Sequence, residues 1–247
     1  PEGGAALGSL LAKSEALEEL DLTATGATAA SMQALLAKVP NALPCLKGIY
    51  VRDNEELLKD PEGGAALGSL LSKAEALEEL DLEGTGATAA SLQALAAKVP
   101  NALPRLKKFS VIRNEELLKD PEGGAALGSL LAKSEALEEL NLYMTRATAA
   151  SVQALAAEVP NALPCLKGIY VSSNKELLKD PEGGAALGSL LSKSEALEVL
   201  DLTATGATAA SVQALAAKAS DALRCLKKIS VYYNEELLEE PEGGAAL

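Results

Sequence analysis

Seven carboxylates recur at related places in one short alternating stretch: Glu19, Asp21, Glu79, Asp81, Glu83, Glu139 and Asp201. Two carboxylates about 5–10 Å apart are the equipment of glycoside hydrolysis. If all seven line one face, many pairs meet that distance, so distance selects none of them. Lys108 and Lys228 fall in the column beside Glu79 and Glu139. Lateral ion pairing between neighbouring strands, contributing about 0.2–1 kcal/mol a pair, is therefore the simpler expectation. The chain has no histidine, which removes Ser-His and Cys-His nucleophile pairs and any His-bearing metal site.

Other chemical signals dissolve on inspection. "GGAALGS" opens a helix and invites comparison with phosphate cradles. It has neither the Walker lysine nor G-x-G-x-x-G spacing, and Glu62 beside it would repel an anion. Small residues that let the helix lie close to the sheet are the plainer reading. "TAT" at Thr23–Thr25 returns at Thr203–Thr205, but the copies between read "EGT" and "YMT", which breaks any ice-matching lattice. Cys45, Cys165 and Cys225 share one repeat column. Equivalent residues two stacked strands apart are about 10 Å apart, beyond the roughly 4.4–6.8 Å Cα separation of a disulfide. Small semi-buried thiols in a reducing, cytoplasmic compartment are expected. No enzymatic role, cofactor or metal follows from any of these features.

The elements that carry these residues repeat. Of 247 residues 48% are hydrophobic, yet there is one Phe and no Trp. The core must be built from Leu, Ala, Val and Ile, which suits a layered repeat. "PEGGAALGSLL" restarts at Pro1, Pro61, Pro121 and Pro181 and begins again at Pro241, and 37 of the 60 positions are identical in all four full copies. Each copy holds two halves. One carries "LEELDLTAT" with Leu17, Leu20, Leu22 and Thr25; the other carries "LKGIYVRDN" with Leu46, Ile49, Val51 and Asn54. Both read L-x-x-L-x-L-x-x-N/T. Leu20 and Leu22, like Ile49 and Val51, point one face of a short strand into the core, so Asp21 and Tyr50 face outward. Asn54 is expected to bond backbone groups of its own turn and of the next unit, with Thr25 doing part of this.

A helix follows each strand. Asp60 stands as N-cap, Pro61 opens the helix and Glu62 sits near its positive end. Leu67, Leu70 and Leu71 supply an i, i+3, i+4 stripe. In the other half Thr28 caps a stripe through Met32, Leu35 and Val39, which Pro40 stops. Strand–helix units of about 30 residues imply parallel strands, and about eight of them make one α/β solenoid over residues 1–247. The chain starts without Met and ends inside a helix at "PEGGAAL", so a piece of a longer array is expected.

With these motifs the chain resembles the ribonuclease-inhibitor-like class of leucine-rich repeats, in which two repeat types alternate. The resemblance covers essentially the whole sequence. It implies a horseshoe with the parallel sheet on the concave face and helices on the convex face. It also implies macromolecular binding through that sheet and the loops at its edge. Here Thr replaces the ladder Asn or Cys in half the units, aromatics are scarce, and neither end carries a polar capping repeat. Association of uncapped ends is a corollary. The family also includes acidic activators of a small GTPase, so an accessory regulator is one alternative and a structural spacer array another.

Partners are bounded by charge and by internal variation. A net charge of −13 repels nucleic acid and anionic membranes, and no apolar run of 18 residues spans a bilayer. A protein or peptide remains. Five columns hold three or more residue types across the copies; the one through Met32 is an apolar helix column. The other four, which begin at Thr23, Ala24, Arg52 and Asp53, all sit where a strand ends. Exposed columns such as Lys13, Glu15, Glu18, Lys47 and Glu56 do not vary at all. The expected partner-binding residues are therefore Tyr50, Arg52, Asp53, Glu83, Arg113, Tyr143, Met144, Arg146, Tyr170, Tyr232 and Tyr233, types that include those enriched at binding hot spots.

Overall fold

A computed structural model describes residues 1–39, 42–99, 103–159, 163–219 and 221–238. Helices and strands alternate along it: α1 (Glu2–Leu11), β1 (Glu19–Asp21), α2 (Ala29–Leu36), β2 (Gly48–Tyr50), α3 (Pro61–Leu71), β3 (Glu79–Asp81), α4 (Ala89–Lys98) and β4 (Lys108–Ser110). The second half repeats them as α5 (Pro121–Leu131), β5 (Glu139–Asn141), α6 (Ala149–Glu158), β6 (Gly168–Tyr170), α7 (Pro181–Leu191), β7 (Val199–Asp201), α8 (Ala209–Lys218) and β8 (Lys228–Ser230). All eight strands pair in parallel, in chain order, in one open sheet. The register is constant, as in Glu79↔Lys108↔Glu139 and Asp81↔Ser110↔Asn141. Columns of the sequence are thus columns of the sheet.

The alternating leucines explain the layering. Leu80, Leu82, Ile49 and Val51 are at most 1% exposed, and they meet the helix stripe of Leu67, Leu70 and Leu71 in a single continuous core. At the first and last described units the same columns open: Leu10 is 63% and Ile229 52% exposed. No helix among the described residues is long and apolar enough to cross a membrane.

Helix starts differ between the two halves. Thr28 caps α2 as expected, and Ser31 completes a reciprocal capping box that recurs in α4, α6 and α8. Asp60 occupies the N-cap position of α3, but its side chain makes no cap bond; Pro61 already opens that helix. Helix α2 ends at Leu36, short of Val39, which is nevertheless buried. Pro40 and the "PEGGAAL" at 241–247 lie outside the described residues.

Two expectations need correction. The small residues of "GGAALGS" do not bring the helix to the sheet; Gly64 and Gly68 bring it to the next helix, and Gly63 brings it to the Leu57 carbonyl of the segment that leads into it. A Cβ at Gly64 would collide with the Ser91 carbonyl of α4, and one at Gly68 with Leu95 and Lys98. The ladder asparagine bonds backward, not forward. Asn54 Nδ2 donates to the carbonyls of Leu22 (2.8 Å) and Val51 (2.9 Å), and its Oδ1 accepts from the amide of Ala27 (2.7 Å). The tight passage from Leu22 to Ala27 leaves the Leu22 carbonyl and the Ala27 amide without helix or sheet partners, and the side-chain amide of the following unit reaches both. Toward the next unit the link is backbone to backbone, from Leu58 N to Thr85 O at 3.0 Å. The solenoid is therefore a stack of Thr–Asn pairs.

Candidate functional site

Every strand ends in the same two-residue turn, and the variable columns are its two corners. The second corner, at Ala24, Asp53, Gly84, Arg113, Met144, Ser173, Ala204 and Tyr233, has φ between 53° and 59°. Backbone bonds hold it there, such as Asp53 N to Glu83 O (2.9 Å) and Gly84 N to Ile112 O (2.8 Å). Glycine is the unstrained choice in the left-handed region. Only Gly84 takes it; the other seven positions accept roughly 1 kcal/mol or more each to carry a side chain. Arg146 goes further, adopting φ 53° where Gly26, Gly86 and Gly206 stand in the other copies.

The structure separates the predicted residues into paired and unpaired groups. Arg52 Nε donates to Asp81 Oδ2 at 2.7 Å, and its guanidinium lies 5.2 Å from the centroid of the Tyr50 ring. The Tyr50 hydroxyl donates to Glu79 (2.8 Å), which also meets Lys108 at 2.9 Å. Burial first, and then this hydrogen bond, push the Tyr50 phenol up to about 12, while the hydrogen bond from Lys108 holds the Glu79 carboxyl below its ordinary range. Arg113 bridges Asp53 and Glu83, the latter at 3.1 Å. Arg146 reaches Glu115 (3.1 Å) and Glu116 (3.4 Å). Tyr232 and Tyr233, 70% and 85% exposed, stand at the last described exit turn. Tyr143 and Met144 are half-buried on β5's exit turn.

Sequence reasoning missed one thing and misread another. Met144 and Arg146 share a cleft of about 490 Å³ with Ser173 and Lys175. Lys175 is the one lysine in a column otherwise of glutamate, a signal the column comparison contained. Of the invariant exposed columns, read as evidence that drift would have touched them, those of Glu18, Lys47 and Glu56 and, at Lys133, that of Lys13 have structural partners. Lys47–Glu18, Lys107–Glu78, Lys167–Glu138 and Lys227–Glu198 pair at 2.8–2.9 Å between neighbouring units, and Glu56 pairs with Lys59. Lys133, in the Lys13 column, caps the carbonyls of Ala96 and Val99. Constancy there reflects ion pairs and caps.

Of the chemical candidates, the expected lateral pairing forms at Lys108–Glu79; Lys228 faces Val199 in the register and has no carboxylate within ion-pair distance among the described residues. Cys165 and Cys225 are exposed, not semi-buried, because their column lies on the surface turn before the strand; Cys45 is half-buried, and all three thiols are free. Among the described residues no group of three or more Cys, Asp and Glu is arranged to hold a metal ion.

No protein-family model matches the sequence, and no curated protein sequence matches it. Solved structures do resemble it in shape. The leucine-rich repeat-containing protein LegL7 from Legionella pneumophila superposes with a TM-score of 0.56 at 14% identity, over 90% of this chain and 68% of that one. A chain of the Rad7 and Elc1 complex in yeast gives 0.51 at 15% identity, over 99% and 76%.

Proposed function

We propose, from the premise that this chain is a leucine-rich-repeat-type solenoid, that it is a non-enzymatic protein-binding module working through its concave sheet and strand-exit turns. The observation that carries the reading is the left-handed corner. Seven of eight corners hold a non-glycine side chain in a conformation that costs energy, and those side chains change charge, size and aromaticity from unit to unit while the frame beneath them does not. A row of stiff turns with interchangeable tips gives recognition without the ordering cost of loose loops. A chain of similar shape from yeast is known in a two-protein complex, an analogy of fold that is consistent with this use. Specific interfaces bury about 1,200–2,000 Å² in total, so a partner has to engage several adjacent exit turns at once.

The test is a pull-down from native extract with Tyr143, Tyr232 and Tyr233 changed together to Ser. Partners captured by the native chain are expected to be lost while the circular dichroism spectrum stays unchanged. Retention of every partner by the folded variant would sink the assignment.

A further inference from the structure

Strands β2 and β6 share the sequence Gly-Ile-Tyr and the same local geometry. In each, the tyrosine ring lies back over the glycine of its own strand: a Cβ on Gly48 or Gly168 would meet ring atoms of Tyr50 or Tyr170 at 2.9 and 3.2 Å. In each, the next strand sets an aspartate beside the tyrosine, Tyr50↔Asp81 and Tyr170↔Asp201. One oxygen of that aspartate accepts the amide two residues on, from Glu83 at 2.9 Å and from Thr203 at 3.0 Å. The other oxygen takes no part in that bond.

What differs is the side chain that uses the ring and the second oxygen. At β2 Arg52 takes both, bonding Asp81 Oδ2 at 2.7 Å with its guanidinium over the Tyr50 ring. At β6 the residue in Arg52's column is Ser172, and its side chain is too short to reach either. A second substitution accompanies the first. Glu79, acceptor for the Tyr50 hydroxyl, becomes Val199. Among the described residues neither the Tyr170 hydroxyl nor Asp201 Oδ2 has a hydrogen-bond or ion-pair partner, and both residues remain partly exposed. Burial first, then the charges of Glu139 and Asp201, hold the Tyr170 phenol above its ordinary range, so two carboxylates act on this ring.

We propose that Tyr170 and Asp201 form a receptor for the guanidinium of an arginine on a protein partner, seated as Arg52 is seated on Tyr50 and Asp81. The inference rests on the protein-binding reading and names one ligand group for it. Arginine fits better than lysine because its planar, weakly hydrated fork stacks on an aromatic face while donating in-plane to a carboxylate. Glu139, which pairs in the sheet with Gly168 under the Tyr170 ring, and the net charge of −13 favour the approach of a cationic side chain.

The probe is N-acetyl-arginine amide, titrated into the folded chain and followed by the NMR signals of the Tyr170 ring. A saturable shift is expected, and N-acetyl-citrulline amide, the uncharged isostere, should give none. Asp201→Asn should weaken binding by about tenfold or more. It should also fold, because Asn141 supports the same turn by accepting the Tyr143 amide at 3.1 Å. Ser172→Arg should abolish binding by supplying the ligand from within, and Arg52→Ser should create a second site whose signature is the Tyr50 ring. Equal response to citrulline, no saturable shift up to about 100 mM, or unchanged affinity in both Asp201→Asn and Ser172→Arg would overturn the receptor. The triple tyrosine variant leaves Tyr170 and Asp201 intact. Failure of the pull-down test therefore sinks the exit-turn reading alone, and failure of this titration sinks the arginine receptor alone.

Discussion

At the scale of single residues, the structure turns on groups that answer for more than one bond. Asn114 is 1% exposed and satisfies the carbonyls of Leu82 and Val111 and the amide of Ala87. Asn114→Ala would strand all three, and with roughly 1–3 kcal/mol per buried unsatisfied group a loss of about 3 kcal/mol or more is expected in urea unfolding. Tyr50 makes a prediction in pH. Its phenol is raised to about 12 in the folded chain against about 10 in an unfolded one. The unfolded state therefore ionises first. The neutral tyrosine's contribution is whole below pH 10 and is lost as pH rises from about 10 to 12. Thermal melts across that range should fall more steeply for the native chain than for Tyr50→Phe.

At the scale of elements, the close approach of paired helices outweighs helix propensity. Replacing glycine by alanine inside a helix ordinarily gains about 0.5–1 kcal/mol. At Gly124 the added methyl would run into the Ser151 carbonyl of α6, a backbone atom that moves only with its helix, and overpacking costs typically 1–3 kcal/mol. Gly124→Ala should lower the melting temperature. Gly3 has nothing within 4 Å of its would-be Cβ, so Gly3→Ala should hold or raise it. The same comparison of magnitudes explains why "GG…G" is invariant among the copies: the second and third glycines serve α3–α4, α5–α6 and α7–α8 packing, and the first lies against the carbonyl of Leu57, Leu117 or Leu177 in the segment leading into its helix.

At the scale of the whole molecule, each unit leans chiefly on its neighbours, with Arg113 reaching past β3 to Asp53 as an exception, so stability is approximately a sum of unit and interface terms. Leu82, 0% exposed in the middle of the array, belongs to those terms, and Leu82→Ala should cost about 2–5 kcal/mol. Tyr232, 70% exposed at an exit turn, should cost little when changed to Ser. Chemical denaturation of the two variants side by side checks this, and equal losses would overturn the division between buried frame and exposed exit turns. That division gives the molecule its character: a stiff aliphatic stack whose outward tips vary without disturbing it.

The sequence alone determined the repeat, its two alternating halves, the inward leucines and the place where the copies diverge. Periodicity of 2 in strands and 3.6 in helices is a property of the local chain, and a column that recurs every sixty residues must occupy the same place in each layer. Only the tertiary structure decided which neighbour each group meets. The backward reach of Asn54, the helix packed against Gly64, the cross-strand partners of Lys47 and Glu18, and the left-handed corner under Met144 all depend on contacts between layers. Sequence spacing does not encode the direction of such contacts. The difference between Arg52 and Ser172 was visible as a changed letter. Its meaning appeared only once the register set Asp81 beside Tyr50 and Asp201 beside Tyr170, because a side chain's role is fixed by what its neighbouring strand places within reach.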